Sequence, residues 1–207
     1  GGNSGFESST REYQNILSLR AGTIDMYEDG INIVGVNYYR LRGTSMSCPH
    51  AAGVLALIAA HFPGRSVAWL ASQLKNTADS IDTLNPGHAG LLGTGRLNAY
   101  RALTEASRPD IVYESHVVLD SGGNNNGWVD RDEPVQATVA LQSRWGGAAN
   151  VQGLLRSVDP YVTIVSAAGS YGTIAEDQSA TNVSSPYAFT VSNAAPADYQ
   201  VTFFLDI

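Results

Sequence analysis

The chain has 207 residues, 43% of them apolar and 15% charged, and carries a formal net charge of -7. That balance supports a buried core and excludes a disordered chain. The acidic pI near 4.9 argues against nucleic acid or an anionic membrane as partner, because phosphate and acidic headgroups repel a negative surface. No apolar run reaches the roughly 18 to 20 residues that span a bilayer. The longest, 51 to 60, is far shorter, and no basic-then-apolar leader opens the sequence. The single cysteine, Cys48, excludes an internal disulfide. This suits a cytosolic protein and an exported bacterial one equally.

Taken in chain order, 15–19 and 31–39 read as extended segments. Ser45 to Phe62 is a helix of small and apolar residues on nearly every side (Ala51, Val54, Leu55, Ile58, Ala59), which predicts burial all round. Pro63-Gly64 ends it. A second, amphipathic helix covers Ser66 to Thr77, with Val67, Leu70, Ala71 and Leu74 at helical spacing. A third covers Asn98 to Glu105. The composition then changes: at Ser107-Arg108-Pro109-Asp110 a proline interrupts helical continuation, and Val, Thr, Tyr, Ser and Asn take over. A boundary is expected there, giving domains 1–108 and 109–207. Runs at 116–119, 135–141, 151–155, 161–165, 187–191 and 199–205, with no helix between them, predict an antiparallel all-β sandwich.

The chemistry concentrates in Gly43-Thr44-Ser45-Met46-Ser47-Cys48-Pro49-His50. A serine hydroxyl is a poor nucleophile until a base takes its proton and donors stabilise the oxyanion. Here Gly43 and Thr44 form a turn ahead of Ser45, and the helix begins at or just after it. Its N-terminus therefore offers free N–H groups and partial positive charge, the Ser45 amide being one candidate oxyanion donor. The same residues also admit an ordinary reading, in which Thr44 or Ser45 caps the helix. Cys48, one turn on, is read as a small apolar core residue, the alternative being a thiol activated by the helix N-terminus.

Gly43-Thr44-Ser45-Met46-Ser47-x-Pro49-His50-x-x-Gly53 resembles the serine motif of the subtilisin-like serine peptidases, the subtilases. Leu74-Lys75-Asn76-Thr77-Ala78-Asp79 resembles the helix that follows in that family. Gly93-Thr94-Gly95-Arg96-Leu97-Asn98-Ala99 resembles its closing motif, and Asn15-Ile16-Leu17-Ser18 the strand after its Ala-Pro-Gly loop. The resemblance runs over residues 1 to 106. It implies an α/β fold with a parallel sheet and flanking helices, present here in part, and peptide-bond hydrolysis through an acyl-enzyme with Ser45 as nucleophile. It also implies catalytic aspartate and histidine upstream of the serine.

The 44 residues before Ser45 contain no histidine; His50, His61, His88 and His116 all follow it. His50 belongs to the serine motif but not as base, His61 sits at a helix C-terminus, and His88 reads as a surface-loop residue. Val118-Leu119-Asp120-Ser121-Gly122 resembles the family's catalytic-aspartate motif, but it lies after the serine and in the other domain. Gly2-Asn3-Ser4-Gly5 resembles the segment of the oxyanion asparagine, yet too little chain separates it from Ser45. Gly1-Gly2 fits better as the tail of the Ala-Pro-Gly loop. The chain is therefore expected to be a C-terminal part of a peptidase domain that is inactive alone, its partners being the missing N-terminal part and a protein or peptide substrate. The alternative is a non-catalytic binding or structural module retaining a relic of the peptidase. The resemblance further implies a secreted or cell-surface protein.

In the second domain, Asp120 to Glu133 is rich in oxygen ligands and glycine. Asn124, Asn126, Gly127 and Glu133 fall at the third, fifth, sixth and twelfth positions of an EF-hand-type calcium loop. Gly122 stands where an aspartate is required, leaving Asp120 or Asp130 to supply the carboxylate. The other reading is an Asx-rich turn between strands. The stretch also resembles the opening of Ig-like β-sandwich domains appended to exported bacterial proteins.

Overall fold

A computed structural model of the protein describes residues 15–25, 28, 30 and 32–207. The reading of Gly1 to Gly5 lies outside the described residues. By its contacts the chain divides into two units. One holds the residues up to Pro63 together with Thr77–Leu103, the other Gly64–Asn76 with Thr104–Ile207.

The first unit opens on a small sheet of β1 (Ile16–Leu19), β2 (Ile33–Val34) and β3 (Tyr38–Leu41), ordered β1-β3-β2. Both pairings are antiparallel, which corrects the expected parallel sheet for the described residues. The cause is local: three residues join β2 to β3, and a connection that short permits only a hairpin, whereas parallel neighbours need a crossover of about a dozen residues. Asp25 accepts hydrogen bonds from Tyr39 Oη at 2.9 Å and Gly30 N at 2.8 Å.

Helix α1 (Thr44–His61) follows. Burial all round is not what its residues show: only Ile58 is fully buried, and Leu57 is 52% exposed. Strands of two to four residues cannot sheathe a helix of 18 residues, which at 1.5 Å per residue is about 27 Å long. Among the described residues no helix is long and apolar enough to cross a membrane.

Further along, Asp79 pairs with Arg96 through two backbone hydrogen bonds, 2.8 and 2.9 Å. Its carboxylate also accepts from Arg96 Nη2 at 3.0 Å, Asn98 Nδ2 at 3.1 Å and Arg101 Nη1 at 3.1 Å. Asn98 in turn caps α3 (Ala99–Thr104), its Oδ1 accepting the Arg101 amide at 3.0 Å. The Arg96 guanidinium first, then Asn98 and Arg101, hold the Asp79 carboxyl at about 2, below its usual 3.8. A carboxyl depressed on folding stabilises above its unfolded pKa, and that contribution fades as pH falls through the folded one. Asp79→Asn should therefore lower the thermal midpoint at pH 7, with mutant and wild type converging between pH 3.8 and about 2. A gap that stays constant across an acid titration would refute this role.

The second unit is all-β apart from α2 (Val67–Asn76). One sheet orders β4 (Ile111–Leu119), β5 (Val135–Ser143), β10 (Tyr187–Val191) and β7 (Val162–Ser166), with β9 (Ser179–Thr181) also on β5. The other orders β11 (Phe204–Asp206), β6 (Ala148–Arg156) and β8 (Ala168–Ile174). Every pairing in them is antiparallel. Inward residues alternate with period two: Val135, Ala137, Val139 and Leu141 on β5, Tyr187, Phe189 and Val191 on β10. They meet Val151, Leu155, Tyr171 and Ile174 from the other sheet in one core. Buried Asn182 stands in for a strand residue, its Oδ1 accepting the Val139 amide at 2.7 Å.

Helix α2 lies before residue 108, yet its side chains bond to residues near or after that point. Buried Gln73 donates to the Glu105 carbonyl at 3.0 Å and accepts from the Trp145 indole. Ser72 Oγ donates to Asp110 at 2.9 Å. Arg65 stacks over Trp69, its Cζ 4.6 Å from the ring centroid, and pairs with Glu176.

Candidate functional site

The turn into α1 is built on Gly43, whose φ of 134° and ψ of 173° form a conformation that side chains essentially exclude. Its carbonyl closes the first turn, accepting Met46 N at 3.1 Å and Ser47 N at 3.3 Å. Gly43 is itself the N-cap, with no side-chain hydrogen bond. Thr44 and Ser45 are thus the first two helical residues, both exposed. The capping role open to them is not the one they play. Ser45 stands at the positive end of an 18-residue helix with its hydroxyl reachable from solvent.

Pro49 lies inside the helix. Having no N–H, it cannot donate to the carbonyl four residues back, which is that of Ser45, so the ladder is interrupted at the serine itself. His50 turns away from base chemistry: its Nδ1 donates to the Met46 carbonyl at 2.7 Å. His61 sits exposed at the other end of the helix, edge-on to Phe62 with centroids 4.6 Å apart. His88 is exposed in the short turn Pro86–His88. His116 lies on β4, in the second unit, and bonds Tyr113 Oη at 2.6 Å. Cys48 is exposed, a correction to its reading as a core residue that follows from the bare flank of α1.

In the second unit, Asp120 and Glu133 are buried, 5% and 7% exposed, at the two ends of the acidic loop. Asp120 Oδ2 accepts the Gly127 amide at 3.0 Å, so this aspartate organises a turn after β4. Asn124 and Asn126 each donate their side-chain amide to Asp130 Oδ2 at 2.8 Å, which holds the Asp130 carboxyl below its usual range. Their oxygens are engaged too: Asn124 Oδ1 accepts Asn126 N at 3.0 Å and Asn126 Oδ1 accepts Trp128 N at 2.8 Å. The Asn124 amide reaches Glu133 Oε2 at 3.4 Å. Asn124, Asn126, Asp130 and Glu133 therefore share one hydrogen-bonded system, while Asp120 bonds the Gly123 and Gly127 amides of the same loop. Among the described residues no group of three His, Cys, Asp or Glu side chains is placed to hold a metal ion. The burial of the two end carboxylates has no signature in the sequence, where Glu133 looks as solvated as Asp130.

With the serine turn described, its kinship can be stated: residues 18–100 match the Subtilase family. That segment, less than half of the chain, contains Ser45 and is similar to the subtilases. Over 114 residues the chain is 32% identical to a subtilisin-like protease, SBT1.2, of Arabidopsis thaliana, covering 43% of this chain and 14% of that one. Over 83 residues it is 37% identical to M-protease of Shouchella clausii, covering 38% and 20%, and to subtilisin Savinase of Lederbergia lenta, covering 38% and 29%. The matched part of the chain thus spans between 14% and 29% of the length of these relatives.

Proposed function

We propose that this chain is part of a subtilisin-like serine endopeptidase in which Ser45 is the nucleophile. The observation that carries the reading is the serine turn: a Gly-Thr-Ser-Met-Ser sequence, inside the segment that matches the subtilases, whose serine is exposed at the second position of a helix with Gly43 in a glycine-only conformation. In the reaction Ser45 Oγ attacks the carbonyl carbon of a peptide bond while a histidine takes its proton. The oxyanion that forms is met by donors, the Ser45 amide among them. Collapse breaks the C–N bond, the histidine returns the proton to the leaving amine, and water hydrolyses the acyl-enzyme to regenerate the serine.

The base, its aspartate and the asparagine donor come, on this reading, from a further part of the same peptidase domain preceding this one. The bare flank of α1 and the histidines engaged elsewhere support that view. Residues 1–108 then belong to the peptidase domain, in which that further part builds the parallel sheet. Residues 109–207 form an accessory Ig-like β-sandwich. The substrate is a protein or peptide, and the enzyme works outside the cell or at its surface.

The 207-residue chain alone should not turn over casein, and a fluorophosphonate should not label it at a rate above that of free serine. The chain preceded by its own gene's upstream coding segment should do both. Robust hydrolysis by the chain alone, or failure of the longer protein to be labelled at Ser45, would overturn the assignment.

A further inference from the structure

We propose that the loop from Asp120 to Glu133 is a binding site for a hard divalent cation of the calcium class, centred on the buried carboxylate of Glu133. Glu133 is 93% buried by its 7% exposure, and its Oε1 has no hydrogen-bond partner. Its other oxygen receives one long bond, from the Asn124 amide at 3.4 Å. A buried carboxylate with an unanswered oxygen is costly unless a cation or donor meets it. No arginine or lysine pairs with it among the described residues.

The carboxylate is aimed into the loop. A Cβ built on Gly123 would stand 2.2 Å from Glu133 Cδ and 2.4 Å from Oε2. Only glycine leaves room for the carboxyl to lie against the backbone there. Asp120, the other buried carboxylate, adjoins the same turn, its carbonyl accepting the Gly123 amide at 2.7 Å and its Oδ2 the Gly127 amide. Two carboxylates do not make a transition-metal site, and among the described residues no group of three His, Cys, Asp or Glu side chains forms one. Calcium differs, since carboxylates can supply some of its 6–8 oxygen ligands while backbone carbonyls and waters supply the others. The site moves inward from an EF-hand register. Asn124, Asn126 and Asp130 hold one another at the surface, and the buried pair Asp120 and Glu133 carries the charge for the cation.

The test uses the whole chain stripped of metal with a chelator. Saturating CaCl2 should raise its thermal midpoint by about 5 °C or more, the scale expected when a ligand binds only the folded state at a large excess over Kd. Tb3+ should show luminescence sensitised by Trp128, displaced by Ca2+ but not by equal Mg2+. Glu133→Gln should abolish both responses, and Asp130→Asn should keep them. If E133Q fails to fold, Asp120→Asn takes its place, and the wild-type titration stands by itself in any case. A folded wild-type chain with neither shift nor sensitised luminescence at 10 mM metal, about a thousandfold above the Kd of even the weakest sensor-type calcium sites, would overturn the proposal. So would an E133Q protein that retains the calcium response.

Discussion

Replacing Ser45 with alanine in the complete peptidase proposed above is expected to lower kcat/KM by about 10^6-fold, the scale known for a subtilisin that loses its serine. KM should change little, because the hydroxyl contributes to the transition state rather than to the bound substrate. The stability of this segment should stay within about 0.5 kcal/mol. The physical grounds are separate for each part. Ser45 is exposed and makes no capping hydrogen bond, Gly43 having taken that position, and alanine is the better helix former. Loss of activity accompanied by unfolding would mean that Ser45 is structural. Retention of more than about one hundredth of the wild-type rate, far above the residual left by binding and the oxyanion hole, would mean that another group is the nucleophile.

In the second unit, Tyr187→Ala is expected to cost about 3–5 kcal/mol, the range for emptying an aromatic core site. Tyr187 is fully buried, and two glycines make its slot. A Cβ on Gly169 would lie 2.7 Å from Tyr187 Cζ, and one on Gly153 2.5 Å from its hydroxyl. The hydroxyl meets that of Tyr171 at 3.1 Å. Tyr187→Phe is milder, about 1–3 kcal/mol, because it strands the buried Tyr171 oxygen. Burial first, then its partner, raises the Tyr171 pKa well above the ordinary phenol value, and burial raises that of Tyr187. The sign follows. Both phenols stay neutral in the folded chain while the unfolded chain ionises near 10.0. Stability is therefore whole below that pH and falls above it. Denaturant melts from pH 8 to 11 check this, and a Y171F/Y187F chain with an unchanged alkaline limb would refute it.

Helices α1, α2 and α3 are legible in the sequence to within a residue or two, because Gly43 and Pro63-Gly64, through their backbones, and Asn98, through its capping side chain, stop or start them locally. β5 and β10 are legible too, since their inward residues repeat with period two. β8 and β9 are not legible in the sequence. Ala168-Gly-Ser-Tyr-Gly is poor in strand formers, and its Gly169 admits the ring of Tyr187, eighteen residues on. The run 31–39 read as one strand and is a hairpin, its turn at 35–37 being masked by flanking Val and Tyr.

The serine turn is a local object, written in eight consecutive residues whose conformation depends on one glycine. The sequence by itself therefore determined where the proposed nucleophile lies and that no histidine stands among the 44 residues before it. Other features depend on residues brought together from afar. Gln73 meets Trp145 across 72 positions and ties α2 to the β-rich unit. Glu133 is buried against Gly123 while Asp130, three residues away, is held by two asparagines nearer the surface. Only the tertiary structure decided these, because burial and unanswered oxygens are properties of what surrounds a residue. In an acidic, glycine-rich loop the surroundings are set by the fold.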